Sequence, residues 1–186
     1  IPYRKQEGQA SLDLVSFKEK LTAVLYEWTE KYGKKILFKS EPGRYIVAES
    51  GILLGTVYAT KNNYGTRYVG TDIGFNVLAR PVMYDSHHDI EVYRGGIPQN
   101  QGETETVTVV GNICESGDII AKDRTLPKIQ EGDILGIMDA GAYGFAMSSN
   151  YNMRLRPAEV MIKENGEAVL IRRRDTFEDL IAPYNV

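Results

Sequence analysis

The chain has 186 residues, enough for one large domain or two small ones and for a sizeable core. Hydrophobic content of 42% and charged content of 25% are ordinary for a globular protein, and a net charge of -3 gives no electrostatic case for nucleic acid or an anionic membrane as partner. A single cysteine excludes an intrachain disulfide and a cysteine-based zinc site and fits a reducing cytoplasm, and no apolar run is long enough to span a bilayer.

Residues 1–10 are polar and carry no periodic signal. From there Leu14, Phe17, Leu21, Leu25, Trp28 and Tyr32 recur at spacings of three and four, which predicts an amphipathic helix with Ser11 or Asp13 as N-cap and Gly33 as its stop. Ile36-Leu37-Phe38 reads as a short buried strand. It leads into Glu41-Pro42-Gly43-Arg44, and Tyr45 to Glu49 can then open a short helix. A strand, a glycine turn and a helix start suit a phosphate, because free backbone N–H groups, the helix dipole and the Arg44 fork all favour an anion. Gly43 allows close backbone approach. Glu41 would repel a phosphate, so it fits a cationic ring nitrogen at the far end of the same ligand. Phosphate and protonated pyridine together describe pyridoxal phosphate. The plainer reading is a solvated Pro-Gly loop, which is the commoner meaning of four such residues.

After about residue 52 the texture changes. Residues 51–61, 66–72, 90–93, 104–111, 133–139, 158–163 and 168–173 read as strands, separated by turn-rich stretches, with Asn165-Gly166 the sharpest hairpin signal. Short helical pieces are expected near residues 75–84, 143–150 and 176–181. Many strands at this spacing indicate a β-barrel or sandwich. The expected division is an α/β segment over residues 1–52 and a β domain with short helices over 53–186.

Several patches could carry chemistry. Arg80-Pro81 with Tyr84 sits in an apolar stretch, where an arginine needs an anionic partner, either a ligand carboxylate or a structural Asp or Glu. The loop 111–118 holds Cys114 beside Glu115. That thiol could deliver a proton and that carboxylate could bind an ammonium group, although a lone cysteine is more often a small buried hydrophobe. Asp139-Ala140-Gly141-Ala142-Tyr143 ends an apolar strand with small residues and a phenol, or is an ordinary strand-to-helix turn. His87 and His88 are adjacent and cannot share one face of a regular element, so they read as structural or surface residues. Arg172-Arg173-Arg174 reads as a solvated face.

In this order, Glu41-Pro-Gly-Arg44, Asp72-Ile-Gly-Phe-Asn76, Arg80-Pro-Val-Met-Tyr84, Cys114-Glu-Ser-Gly-Asp118 and Asp139-Ala-Gly-Ala-Tyr143 resemble the fold-type III pyridoxal-phosphate-dependent decarboxylases over nearly the whole chain. Within that family they look most like the enzymes that convert meso-2,6-diaminopimelate to L-lysine. The fold implied is the C-terminal end of a pyridoxal-phosphate-binding (β/α)8 TIM barrel followed by a β-barrel or sandwich domain. By this resemblance the chain starts inside the barrel, after its seventh strand, and is inactive alone.

The resemblance further implies that Glu41 pairs with the pyridinium nitrogen and that Gly43 and Arg44 hold the phosphate, with Arg44 also near substrate. Arg80 and Tyr84 would take the distal carboxylate and Glu115 the distal ammonium. Cys114 would protonate the carbon that loses CO₂, and Tyr143 would lie over cofactor and substrate. The Cys-Glu pair would reach into a partner subunit, which implies a homodimer with shared active sites. Asn112 stands where this family usually has proline. Lys61, in Tyr58-Ala-Thr-Lys61-Asn62, superficially resembles the family's cofactor-lysine motif, but it follows the phosphate motif and reads as an exposed strand-end lysine. The alternatives are a related decarboxylase with another amino-acid or carrier-bound substrate, and a non-catalytic β-barrel dimerisation module.

Overall fold

The computed structural model describes residues 1–33 and 36–184. Asp13 caps α1 (Leu14–Tyr32), its carboxylate accepting the N–H groups of Val15 and Ser16 at 3.0 and 3.2 Å, and Gly33 at φ 91° ends it. The apolar stripe forms as its spacing dictates, yet no residue of α1 is buried in this chain, and Phe17, Leu21 and Trp28 stay 41–51% exposed. The strand expected over residues 36–38 does not form. A strand exists by its ladder of hydrogen bonds to a neighbour. Among the described residues no other strand runs beside these three, and Leu37 is left 75% exposed. Pro42 then precedes α2 (Gly43–Val47), which tightens into a 3-10 turn over Ala48–Ser50.

The body of the molecule is a mixed sheet. β1 (Leu53–Asn63), β2 (Thr66–Thr71), β3 (Ile90–Arg94), β4 (Ile97–Pro98), β5 (Thr104–Val110), β6 (Ile119–Pro127) and β7 (Ile134–Ile137) lie in the order β4-β3-β7-β1-β2-β5-β6. A two-residue turn at Tyr64-Gly65, both at positive φ, joins β1 to β2 and matches the right-handed twist of the strands. Every pairing is antiparallel except β2 with β5, where Val69 faces Val109 in parallel register. The connection between those two strands carries α3 (Arg80–Tyr84), β3 and β4.

The sheet curls so that β6 meets the segment just before β3, near the opposite edge, where Arg124 donates to the carbonyl of His88. Inside the curl Val57, Val69, Leu78, Ile90, Val92, Val107, Val109, Leu135 and Ile137 are all at most 2% exposed. Each such side chain contributes about 1.5–3 kcal/mol by leaving water. β8 (Glu159–Ile162) and β9 (Ala168–Arg172) form a separate hairpin turned at Asn165-Gly166, followed by α4 (Phe177–Ile181) with a Thr176–Asp179 capping box.

β4 and β6 are the two strands that the sequence pattern does not announce. In β6 the charged run Lys122-Asp123-Arg124 breaks the apolar alternation. Asp123 sits at φ 49° in a bulge opposite Thr108, whose hydroxyl accepts the Asp123 N–H at 3.3 Å. The short helices lie where they are expected, although the piece at 75–84 shrinks to the single turn of α3 and the piece at 143–150 to a 3-10 turn over Phe145–Met147.

Candidate active site

The turn after β7 is fastened to the chain that follows α2. The Ala140 N–H donates to the Gly51 carbonyl at 2.8 Å and the Gly141 N–H to the Ala48 carbonyl at 3.0 Å. A Cβ on Gly141 would lie 2.0 Å from the Val47 carbonyl oxygen, so only glycine lets these two backbones meet. The contact brings Arg44 of α2 beside Tyr143, with the guanidinium carbon 5.6 Å from the ring centroid. Tyr143 at φ 61° and Asp139 at φ 56° both hold left-handed conformations that cost a side-chain-bearing residue energy, and they persist because the surrounding bonds over-determine the turn.

Arg80 approaches the same Tyr143 ring, and the Tyr3 ring as well. It opens α3, is only 4% exposed, and lies 4.6 Å from the Tyr3 ring centroid and 5.7 Å from that of Tyr143, while Arg44 lies 5.6 Å from Tyr3. Two guanidinium groups thus share two aromatic faces. Among the described residues neither arginine has a carboxylate within ion-pair distance. The one side-chain hydrogen-bond partner of Arg80 among them is His88 Nε2, 3.2 Å from Nη1. Among the described residues its other N–H groups have no hydrogen-bond acceptor. Unneutralised arginines converging beside a phenol make an anion-binding arrangement suited to a phosphate or carboxylate.

The N-terminal segment locks onto this region. Lys5 bridges Glu49 at 2.6 Å and the buried Asp139 at 3.3 Å, which raises the lysine pKa chiefly through the Glu49 contact. Gln6 donates its N–H to Asp89 at 2.8 Å and its side-chain amide to the Ile90 carbonyl at 2.9 Å. These bonds hold Tyr3 under the two arginines. The second carboxylate oxygen of Asp139 is buried and has no partner among the described residues.

Cys114 and Glu115 ride on a separate loop. Asp118 is 3% exposed and accepts the Phe75 N–H at 2.7 Å and the Ile113 N–H at 2.8 Å, tying that loop to residues 72–76. Burial pushes the Asp118 carboxyl above the ordinary aspartate pKa, against the pull of those two N–H groups. Asn112, at the position of the family's usual proline, donates to the Asp72 carbonyl at 2.7 Å, and Arg154 donates to the Asn112 carbonyl. The loop therefore has a fixed base, while Cys114 and Glu115 at its tip are exposed.

Of the residues singled out in the sequence, Arg44, Arg80 and Tyr143 are brought together. Gly43 lies in open space where a Cβ would meet nothing within 4 Å, and Glu41 is exposed. Tyr84, at the end of α3, is 62% exposed, and among the described residues Cys114 and Glu115 make no hydrogen bond or ion pair with the arginine cluster. Lys61 is exposed near the end of β1. Tyr3 carries no signal in a polar, aperiodic segment. His88 is hidden by its neighbour: the two rings part, His87 to Asp89 at 2.9 Å and His88 to Arg80, and neither ring is a surface group. The arginine run is not simply a solvated face. Arg172 pairs with Asp175 and lies 4.6 Å from the Phe145 ring centroid, and Arg173 grips Asp179 at 2.6 and 2.7 Å.

The family described as pyridoxal-dependent decarboxylase, C-terminal sheet domain, matches residues 44–141. The chain is 45% identical over 187 residues to a diaminopimelate decarboxylase of Methanothermobacter thermautotrophicus, covering all of this chain and 42% of that protein. A crystal structure of a diaminopimelate decarboxylase superposes with a TM-score of 0.85 at 38% identity, covering 98% of this chain and 45% of the other. The diaminopimelate decarboxylase of M. jannaschii, solved in co-complex with L-lysine, gives a TM-score of 0.75 at 40% identity, covering 87% and 36%. The chain spans about two fifths of the length of these relatives. The curled mixed sheet is the C-terminal sheet domain of such decarboxylases.

Proposed function

The chain belongs to the pyridoxal-dependent decarboxylases, and from that premise we propose that it is the substrate-recognising portion of an enzyme that decarboxylates meso-2,6-diaminopimelate to L-lysine. The observation that carries the reading is Arg80, buried, braced by aromatic rings and without a carboxylate partner among the described residues. A site built this way wants an anionic ligand, and an extended dicarboxylic amino acid supplies one at its far end.

Pyridoxal phosphate, when bound, supplies the electron sink that lets the bond to the α-carboxylate break. The residues present fit that group. Gly43 lies open at the start of α2, Arg44 offers a guanidinium with no carboxylate opposite, and Glu41 is an exposed acid able to face a protonated ring nitrogen. Tyr143 closes over the same space as Arg44. Arg80 binds the distal carboxylate, helped by the Tyr84 hydroxyl, and Glu115 pairs with the distal ammonium. The Cys114 thiol gives its proton to the carbon that has lost CO₂.

Cys114 and Glu115 act in the site of a partner subunit, so the working unit is a homodimer with shared active sites. Their exposure on a loop with a rigid base supports this, because residues that complete a neighbour's site must project. The compartment proposed is the cytoplasm. Among the described residues no helix is long and apolar enough to cross a membrane.

The test is CO₂ release by the full-length enzyme with pyridoxal phosphate, offered meso-diaminopimelate, ornithine, lysine and arginine separately. Turnover of meso-diaminopimelate, and its loss on Glu115→Ala, is the expected result. Preference for another amino acid sinks the substrate assignment. Release of no CO₂ from any of them sinks the enzymatic reading.

A further inference from the structure

His88 does more than fill space behind the site. It is 2% exposed, with Nδ1 2.7 Å from the Met138 carbonyl oxygen and Nε2 3.2 Å from Arg80 Nη1. A carbonyl oxygen can only accept, and a guanidinium can only donate. The two contacts are therefore satisfied together by one form of the ring. Nδ1 carries the hydrogen and donates to Met138, and the Nε2 lone pair accepts from Arg80. A ring protonated at both nitrogens, or at Nε2 alone, would point an N–H at the guanidinium.

The local chain path explains how residue 88 reaches residue 80. α3 ends at Tyr84, and Asp85 at φ 50° reverses the chain, so the segment after the helix comes back against its first residue. Tyr3 packs edge-on against His88 at 5.3 Å while covering Arg80. Of the nearby acids, Asp89 holds His87 and the Gln6 N–H, and Asp139 reaches Lys5 through Oδ1 while its Oδ2 has no partner among the described residues. Burial lowers the His88 pKa below the ordinary imidazole value. The Arg80 charge and His87 act in the same direction, while the Met138 carbonyl and Asp139 oppose it.

An arginine held by a carboxylate is already half neutralised. One held by a neutral imidazole is oriented and keeps its full charge for a ligand. We propose that His88 is a positioning residue that fixes the Arg80 guanidinium through Nε2 without neutralising it, so that Arg80 presents its remaining N–H groups to the distal carboxylate of the substrate. This rests on the reading that Arg80 binds that carboxylate.

Two side chains separate the hydrogen bond from mere packing. The Gln amide reaches the place of Nε2 and can accept from Arg80, whereas the Asn amide reaches only the place of Nδ1. In the full-length enzyme with meso-diaminopimelate, His88→Asn raises KM about tenfold while kcat stays within about threefold, the size expected for losing one charge-assisted hydrogen bond. His88→Gln recovers most of the KM. Arg80→Gln is run beside them. If it raises KM and His88→Asn does not, or if the Asn and Gln variants are equally impaired, the positioning role is wrong. If Arg80→Gln itself leaves KM unchanged, the carboxylate reading of the site fails, and this inference fails with it. A second readout is independent of turnover and of variant folding. Histidine-selective ¹⁵N NMR of the unmodified enzyme shows His88 as a single Nδ1–H tautomer at neutral pH. An Nε2–H or doubly protonated ring at neutral pH overturns the proposal.

Discussion

The carboxylate of Asp118 lies against the backbone of Gly111 so closely that a Cβ on residue 111 would come within 2.2 Å of Oδ2. The same carboxylate holds the Phe75 and Ile113 N–H groups, so there is nowhere for it to move without giving up two hydrogen bonds. Gly111→Ala is expected to cost about 1–3 kcal/mol as an overpacked site. Gly117→Ala in the same loop, where the nearest atom is Val82 Cγ1 at an ordinary 3.8 Å, is expected to stay within about 0.5 kcal/mol. Urea unfolding of the two variants checks this. Equal effects would mean that the loop gives way freely.

Asp175 is the knot at the C-terminal end. Burial alone would raise its pKa, but the Arg156 guanidinium, the Asn150 amide and the Arg156 N–H overcome this and hold it at about 2. A carboxylate whose folded pKa lies below its unfolded value near 3.9 stabilises fully above that value and loses the contribution as pH falls through about 2. Asp175→Ala is expected to destabilise the protein at pH 7 by about 1–3 kcal/mol, since it strands two arginines. The gap from wild type should close in acid between about pH 4 and pH 2. Chemical denaturation at pH 7, 4 and 2.5 reads this directly.

His88 works in the opposite pH range. Its folded pKa is depressed, so between that value and about 6.5 the unfolded chain binds a proton that the folded chain refuses. Stability therefore falls as pH drops below about 6.5, and His88→Gln should flatten that part of the profile. Denaturation midpoints at pH 7.5, 6.5 and 5.5 give the slope. A slope unchanged in the variant would assign it to another group.

Lys61 is exposed near the end of β1, and a cofactor-binding lysine needs a closed pocket around it. Incubation of the purified chain with pyridoxal phosphate, borohydride reduction and peptide mapping should therefore give no stoichiometric label at Lys61. A specific label there would make the site self-sufficient and would remove the need for a lysine from elsewhere in the enzyme.

Much of the sheet is legible as sequence, because β1, β2, β3, β5, β7 and the β8–β9 hairpin are runs of branched and aromatic residues cut by glycine or asparagine. β6 is not, because its bulge places Lys122, Asp123 and Arg124 in mid-strand, where alternation alone argues for a loop. The three residues at 36–38 look like a strand because they are apolar, but apolarity supplies no ladder partner. Arg80 is legible as an arginine in apolar company. What holds it is not, since Tyr3 lies 77 positions upstream and His88 stands next to another histidine with a different task. Long-range pairings of this kind leave no periodic trace.

The parallel pairing of β2 with β5 has a kinetic consequence. Residues 72–103, which include Arg80 and His88, form the connection between two hydrogen-bonded neighbours, so the ends of that connection meet only when Val69 finds Val109. Loop-closure entropy is met before these contacts reward it, which makes this a slow, non-local step. The Arg80–His88 pair should then be acquired in the same cooperative event as the parallel β2–β5 ladder. In native-state hydrogen exchange, the amides of Val69, Leu78 and Val109 are expected to exchange with a common opening free energy. Early, independent exchange of Leu78 would show instead that the connection folds on its own.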